Sequence, residues 1–307
     1  MNKTELKAKI NELKKEKGVV ILAHLYQDYD ILDIADVTGD SFALAKAATN
    51  ISANRVIMCG VSFMAETVKM LSPEKEVILP VSSAGCPMAE MLTVKEVSDF
   101  KSANPDYTVV AYVNTTAELK TLADVCVTSS SAEKILRNMP CEKILFIPDQ
   151  NLGHYIEKRL PEKHFEFLDG CCPYHNSVTA KDIADLKAKY PDAVVAAHPE
   201  CKPEVLDLSD MIGATTEIID YATAQTGKVI IATEIGVTDY LNKKYQTNRF
   251  IQVTPEKLCC EGMKAITLQS VLDAINGEGE SKIIEMDETL RLNAKKSIDA
   301  MLFYGNK

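Results

Sequence analysis

The chain has no tryptophan among its 307 residues, no C-x-x-C pair despite nine cysteines, and no apolar run long enough to span a membrane. Each absence removes a class of protein. Without C-x-x-C, zinc ribbons, thioredoxin-like redox sites and closely spaced ferredoxin ligands are disfavoured, so a metal held by these cysteines must draw on distant parts of the chain. Without about 18 consecutive apolar residues no membrane helix is expected. The opening MNKTELKAKINELKKEKG lacks the apolar centre of a signal peptide and reads as an amphipathic surface helix, so a cytoplasmic protein is expected. Cations are in deficit: 34 Lys and Arg stand against 44 Asp and Glu, a net charge of −10, which argues against nucleic acid and anionic membrane as partners. Nine cysteines are many for a reducing compartment, where disulfides are rare, which leaves core packing, metal ligation or catalysis as their roles.

What is present is a soluble globular composition, 46% hydrophobic and 25% charged, at a length that holds two or three domains. Val- and Ile-rich runs at 18–24, 55–60, 76–81, 107–114, 143–149, 193–200, 228–234 and 249–253 predict buried strands. Helical patterns such as 40–50, 131–139 and 216–225 lie between them, and DETLRLNAKKSIDAMLFYG predicts a closing helix. Continuous apolar strands separated by helices predict an α/β fold with parallel sheets covered on both faces.

Part of the pattern recurs three times. Strands end in AHLY (23–26), AYVN (111–114) and AHPE (197–200), and ADVTGDS (35–41), ADVCVTS (123–129) and SDMIGAT (209–215) follow. Aligned, His24 matches Tyr112 and His198; Ser41, Ser129 and Thr215 each lie 17 residues further on, with Asp36, Asp124 and Asp210 five residues before them. A cysteine completes each copy 43 to 45 residues later: Cys86, Cys172 and Cys260, with the neighbouring Cys171 and Cys259 equally open on spacing alone.

Three similar units are therefore expected, as three-layer αβα domains with short parallel sheets, related by a pseudo-threefold axis around a central cavity. The expected bounds are 1–84 plus 270–307, 85–170, and 171–269. Ligands of open α/β sheets bind beyond the carboxyl ends of the strands, where His24 and Tyr26, Tyr112 and Asn114, and His198 and Glu200 all fall. Three thiolates, one per copy, suit a [4Fe–4S] cluster with one iron open as a Lewis acid. Cys59, Cys126 and Cys141 read as packing residues. Ser41, Ser129 and Thr215 open helices, either as caps or as anion-binding groups. His24, Tyr26, His198 and Glu200 are the acid–base candidates. His175 either orients the region of Cys172 or caps a turn, and His154 and His164 read as surface residues.

In order along the chain, AHLYQ, DIADVTGDS, FMAETVKML, AGCPMAEM, VVAYVNTTAELK, VTSSSA, NLGHYI, CPYH, AHPEC and CEGMKAITL resemble the quinolinate synthase family. The resemblance implies three pseudo-threefold domains around a [4Fe–4S] cluster held by three cysteines. It selects Cys172, three residues ahead of His175, and Cys260, ahead of Gly262-Met263-Lys264, beside Cys86. It carries substrate contacts onto His24, Tyr26, Ser41, Tyr112, Val113, Asn114, Ser129, His198, Glu200 and Thr215, with Pro199 contributing backbone.

The implied reaction condenses iminoaspartate (iminosuccinate) with dihydroxyacetone phosphate to quinolinate, releasing phosphate and water, in de novo NAD biosynthesis. An L-aspartate oxidase or dehydrogenase is the implied functional partner, as source of the imine. Two positions depart from the family's usual pattern: Ser62 stands where a histidine is common, and Asn176 where an acid is common.

Overall fold

The computed structural model describes residues 1–306, so Lys307, at the end of the expected closing segment, lies outside them. Three sheets carry the chain's longest apolar segments. The first contains β1 (Val19–His24), β2 (Val37–Gly39), β3 (Arg55–Cys59) and β4 (Glu76–Leu79). The second contains β5 (Thr108–Tyr112), β6 (Val125–Val127), β7 (Lys143–Ile147) and β8 (His164–Phe167). The third contains β9 (Val194–Ala197), β10 (Met211–Ile212), β11 (Val229–Ala232) and β12 (Phe250–Gln252). Helices flank all three, and the class is α/β as expected.

The repeat is visible in topology as well as in sequence. The strand orders are β2-β1-β3-β4, β6-β5-β7-β8 and β10-β9-β11-β12, the same arrangement three times, with every pair parallel. One addition breaks the pattern: β13 (Lys282–Ile283) joins the first sheet antiparallel to β4. The central strands are buried on both faces, as continuous apolar runs require; Ile21, Leu22, Val109, Val110, Val195 and Ala196 are all fully buried.

The recurring aspartate has a structural explanation. Asp36 Oδ2 accepts from Ile21 N at 2.9 Å, Asp124 Oδ2 from Val109 N at 2.8 Å, and Asp210 Oδ2 from Val195 N at 2.7 Å. Each aspartate N–H also donates to the carbonyl of that same residue. This two-way bond sews the edge strand onto the strand before it, 15 residues earlier. The same pairing fixes the register, Leu22 opposite Val37 and Val110 opposite Val125.

By contact the chain divides into two compact units. One comprises Met1–Cys86 with Cys260–Leu292, and holds the first sheet and β13; the other comprises Pro87–Cys259 with the segment from Asn293 onward, and holds the second and third sheets. In the first unit the helix Lys3–Glu16 is stitched to the helix Tyr29–Ile34 by Lys3 and Lys7 on Asp30 (2.6 and 2.7 Å). Arg291 reaches Met70 O at 3.0 Å. In the second, Ser297 on the closing helix is buried and donates to Lys120 O at 3.2 Å. No helix among the described residues is long and apolar enough to cross a membrane.

Candidate functional site

In the second unit the strand ends bring together residues far apart in sequence. Tyr112 closes β5, and His198 follows β9, its N–H donating to Ala232 O at 3.1 Å. The His198 ring then folds over its own loop: Nδ1 accepts from Glu200 N at 3.4 Å, and Nε2 lies 3.3 Å from Ser129 Oγ. His24 makes the same bond in the first unit, Nδ1 accepting from Tyr26 N at 3.1 Å. An Nδ1 spent on an amide leaves the proton of the neutral ring on Nε2. The His24 and Tyr26 rings meet edge to face with centroids 4.6 Å apart.

Glu200 is buried against two imidazoles. His175 Nδ1 is 2.7 Å from its Oε2 and His198 Nδ1 is 3.7 Å away, while His175 Nε2 contacts Thr233 Oγ1 at 3.0 Å. His175 Nδ1 also lies 3.3 Å from Cys172 Sγ. Donor atoms of Cys172, His175 and Glu200 fall within 4.8 Å of one another, a grouping able to hold a metal ion. Burial alone would raise the Glu200 carboxyl, but the facing His198 and His175, with hydrogen bonds from His175 and Tyr112, outweigh it and hold the group at about 2. Asp149 moves the other way: complete burial, then repulsion from Glu200, push it well above the usual carboxylate range.

Asp149 and Asn151 were not among the residues expected from sequence, although NLGHYI was. Asp149 caps the helix Gln150–Arg159, accepting from Leu152 N at 2.8 Å, and its other oxygen accepts from Cys172 N at 2.8 Å. Asn151 Nδ2 donates to Glu200 O at 3.1 Å and to Asn176 Oδ1 at 3.0 Å. One helix start thus holds both the segment of Cys172 and the loop of Glu200. No local sequence signal marks this, because the partners lie 23 and 49 residues away.

In the first unit, Cys260 sits just before the one-turn helix Glu261–Lys264, as Cys172 sits before Pro173–Asn176 in the second. A Cβ at Gly262 would collide with the carbonyl oxygen of Gly85, so glycine is what lets the turn after Cys260 lie against the residue preceding Cys86. Lys264 Nζ donates to Tyr26 O at 2.7 Å. Ser41 opens the helix Ser41–Ala48, whose cap is Asp40, and buried Thr215 opens Thr215–Ala224, whose cap position is Ala214. Neither hydroxyl residue occupies the N-cap itself. Ser129 precedes a helix whose N-cap position is Ser131. Val113 and Pro199 are buried beside their loops, and Asn114 is half-buried.

Cys86, Cys172 and Cys260 are all partly exposed, whereas Cys59, Cys126 and Cys201 are buried. Burial pushes the Cys59 and Cys201 thiols up, which marks them as packing residues. Cys141 is partly exposed near the surface. His154 pairs with Glu157 at 3.2 Å and His164 is exposed at the start of β8.

Triplicated parallel α/β layers, with histidine, tyrosine and glutamate at the strand ends and a thiol–imidazole–carboxylate grouping beside them, define an α/β enzyme with the makings of a metal centre. Comparison with known proteins gives the family. The family description "Quinolinate synthetase A protein" matches residues 8–303. Similar curated proteins are the quinolinate synthases of Aquifex aeolicus (43% identical, over 97% of this chain and 94% of that protein), Caldicellulosiruptor bescii (43%, over 99% and 100%) and Clostridioides difficile (44%, over 97% and 96%). The chain belongs to the quinolinate synthetase A protein family, enzymes of NAD biosynthesis.

Proposed function

We propose that the chain condenses iminoaspartate with dihydroxyacetone phosphate to quinolinate, with loss of phosphate and water, and that Cys86, Cys172 and Cys260 ligate one [4Fe–4S] cluster. The observation that carries the reading is family membership along nearly the whole chain. The donor set fits the cluster: three partly exposed thiols outside the regular elements, two of them directly ahead of one-turn helices. When bound, the cluster supplies Lewis acidity at an iron that no cysteine occupies. We further take the three copies as three αβα domains with the bounds expected above, and the enzyme as cytoplasmic.

The residues then divide by chemistry. Glu200, held ionised between His198 and His175, is suited to accept a proton from substrate, and Tyr26, beside His24, to give or take one through its phenol. His24 and His198, each with Nδ1 engaged, present Nε2–H toward carboxylate oxygens. Ser41, Ser129 and Thr215 offer hydroxyls at helix starts to phosphate or carboxylate. Tyr112, Val113, Asn114 and Pro199 line the remaining substrate contacts. An L-aspartate oxidase or dehydrogenase supplies the imine.

Anaerobic purification tests this: about four iron and four sulfide per chain, with quinolinate formed from the two substrates, is the expected result. Serine at any one of Cys86, Cys172 or Cys260 should abolish both the iron and the turnover. An iron-free variant with undiminished turnover would overturn the proposal.

A further inference from the structure

The strand-end loop of the second copy is gripped by a lysine. Lys120 is the last residue of the one-turn helix Ala117–Lys120 and is fully buried. Its Nζ donates to Val113 O at 2.8 Å and to Thr115 O. Those carbonyls flank Asn114. The loop is tightened further by Thr115, whose N–H donates to Val113 O at 2.9 Å and whose hydroxyl donates to Tyr112 O at 3.3 Å. At the centre, Asn114 Oδ1 is buried without a hydrogen-bond partner among the described residues.

Two costs meet at one loop. A buried amide oxygen without a donor forfeits the hydrogen bond it made to water in the unfolded chain. A buried ammonium is dearer still, and an apolar side chain of the same volume would avoid that cost. Fixing the 113–115 backbone so that Asn114 can meet a ligand accounts for both.

In the other two copies a side-chain donor also holds this loop, but at the carbonyl of the matched residue itself and not at those of its neighbours. Tyr26, Asn114 and Glu200 each lie two residues beyond the matched His24, Tyr112 and His198. Tyr26 O accepts from Lys264 Nζ at 2.7 Å, and Glu200 O from Asn151 Nδ2 at 3.1 Å. The donors come from non-equivalent positions and the carbonyls they hold differ by one residue, so what the copies share is a loop tied by a side chain, and the grip on both sides of the matched residue is particular to Asn114.

We propose that Lys120 is the positioning residue of Asn114: its ammonium fixes the carbonyls on either side and so aims the Asn114 amide at an N–H or O–H donor of the bound substrate. The identity of that substrate rests on the quinolinate synthase reading; the grip on the loop does not. Lys120→Met keeps the apolar stem and removes the donors. Amide hydrogen exchange across residues 112–116 should then quicken by about tenfold or more, with β7 and β8 unchanged. Unchanged exchange in that segment would overturn the proposal.

The second measurement is a double-mutant cycle with Asn114→Ala, read as the dissociation constant for quinolinate. If Lys120 acts through Asn114, Lys120→Met weakens binding about tenfold in the native background and by less than about twofold once Asn114 is alanine. Equal losses in both backgrounds would mean a merely structural lysine. Should Lys120→Met fail to fold, Lys120→Gln, which retains an amide donor, carries the same two measurements. If the native protein neither binds nor makes quinolinate, the proposed function falls while the exchange data still decide the grip.

Discussion

At the scale of single residues, Asp149 shows how much one buried side chain can organise. It satisfies the helix start at Leu152 and the N–H of Cys172 at once, and it shares a buried region with Glu200. Asp149→Ala leaves both N–H groups unsatisfied and should cost about 2–4 kcal/mol in chemical denaturation. Asp149→Asn keeps one acceptor and turns an NH2 toward the other N–H, so it should cost about half of that or somewhat more. Burial and the Glu200 charge push the carboxyl up, so removing its charge offsets part of the lost hydrogen bond. Equal losses for the two variants would show that the negative charge is what the site needs. None of this was legible in the sequence, since the partners of Asp149 and Asn151 are assigned by the fold. Glu200 and His198 could be found beforehand because they occupy a repeated position, whereas His175 stood out only through its closeness to Cys172.

At the scale of elements, legibility followed length and burial. All eight apolar runs are strands, most of them inner strands covered on both faces, which need unbroken Val and Ile; the run at 249–253 forms the short edge strand β12. The edge strands β2, β6 and β10 are only two or three residues long, too short for any periodicity, and they exist because an aspartate side chain pins them. Replacing Asp36, Asp124 or Asp210 by alanine should therefore lower stability by about 1 kcal/mol each. The matching amide, at Ile21, Val109 or Val195, should exchange faster while the other two copies stay protected. An effect spread evenly over all three sheets would contradict the local role.

The first two helices make a pH-dependent pair in the same sense. Hydrogen bonds from Lys3 and Lys7 hold Asp30 down at about 2. A carboxyl lowered in the folded state contributes stability above its unfolded value, near 3.9, and loses it as pH falls through the folded value. Between about pH 5 and pH 2 the native protein should lose more thermal stability than Asp30→Asn, with the two converging at the acid end. Parallel curves would mean that the pairing is too well screened to matter.

At the scale of the whole molecule, the triplication is written in both sequence and fold: three landmarks at fixed spacing fall at or beyond the strand ends, and three identical strand orders carry that repeat into the fold. What the repeat could not carry is the field of the entire chain. With a net charge of −10, the protein repels the two anionic substrates proposed for it within about a Debye length of its surface, a reach that salt shortens. Near the site Glu200 lies ionised between His175 and His198. If the long-range repulsion governs encounter, raising ionic strength from about 0.02 to 0.2 M should increase kcat/KM by roughly twofold to threefold while kcat stays constant. A fall in kcat/KM over that range would instead mean that local cations dominate capture, because salt then screens an attraction and not a repulsion.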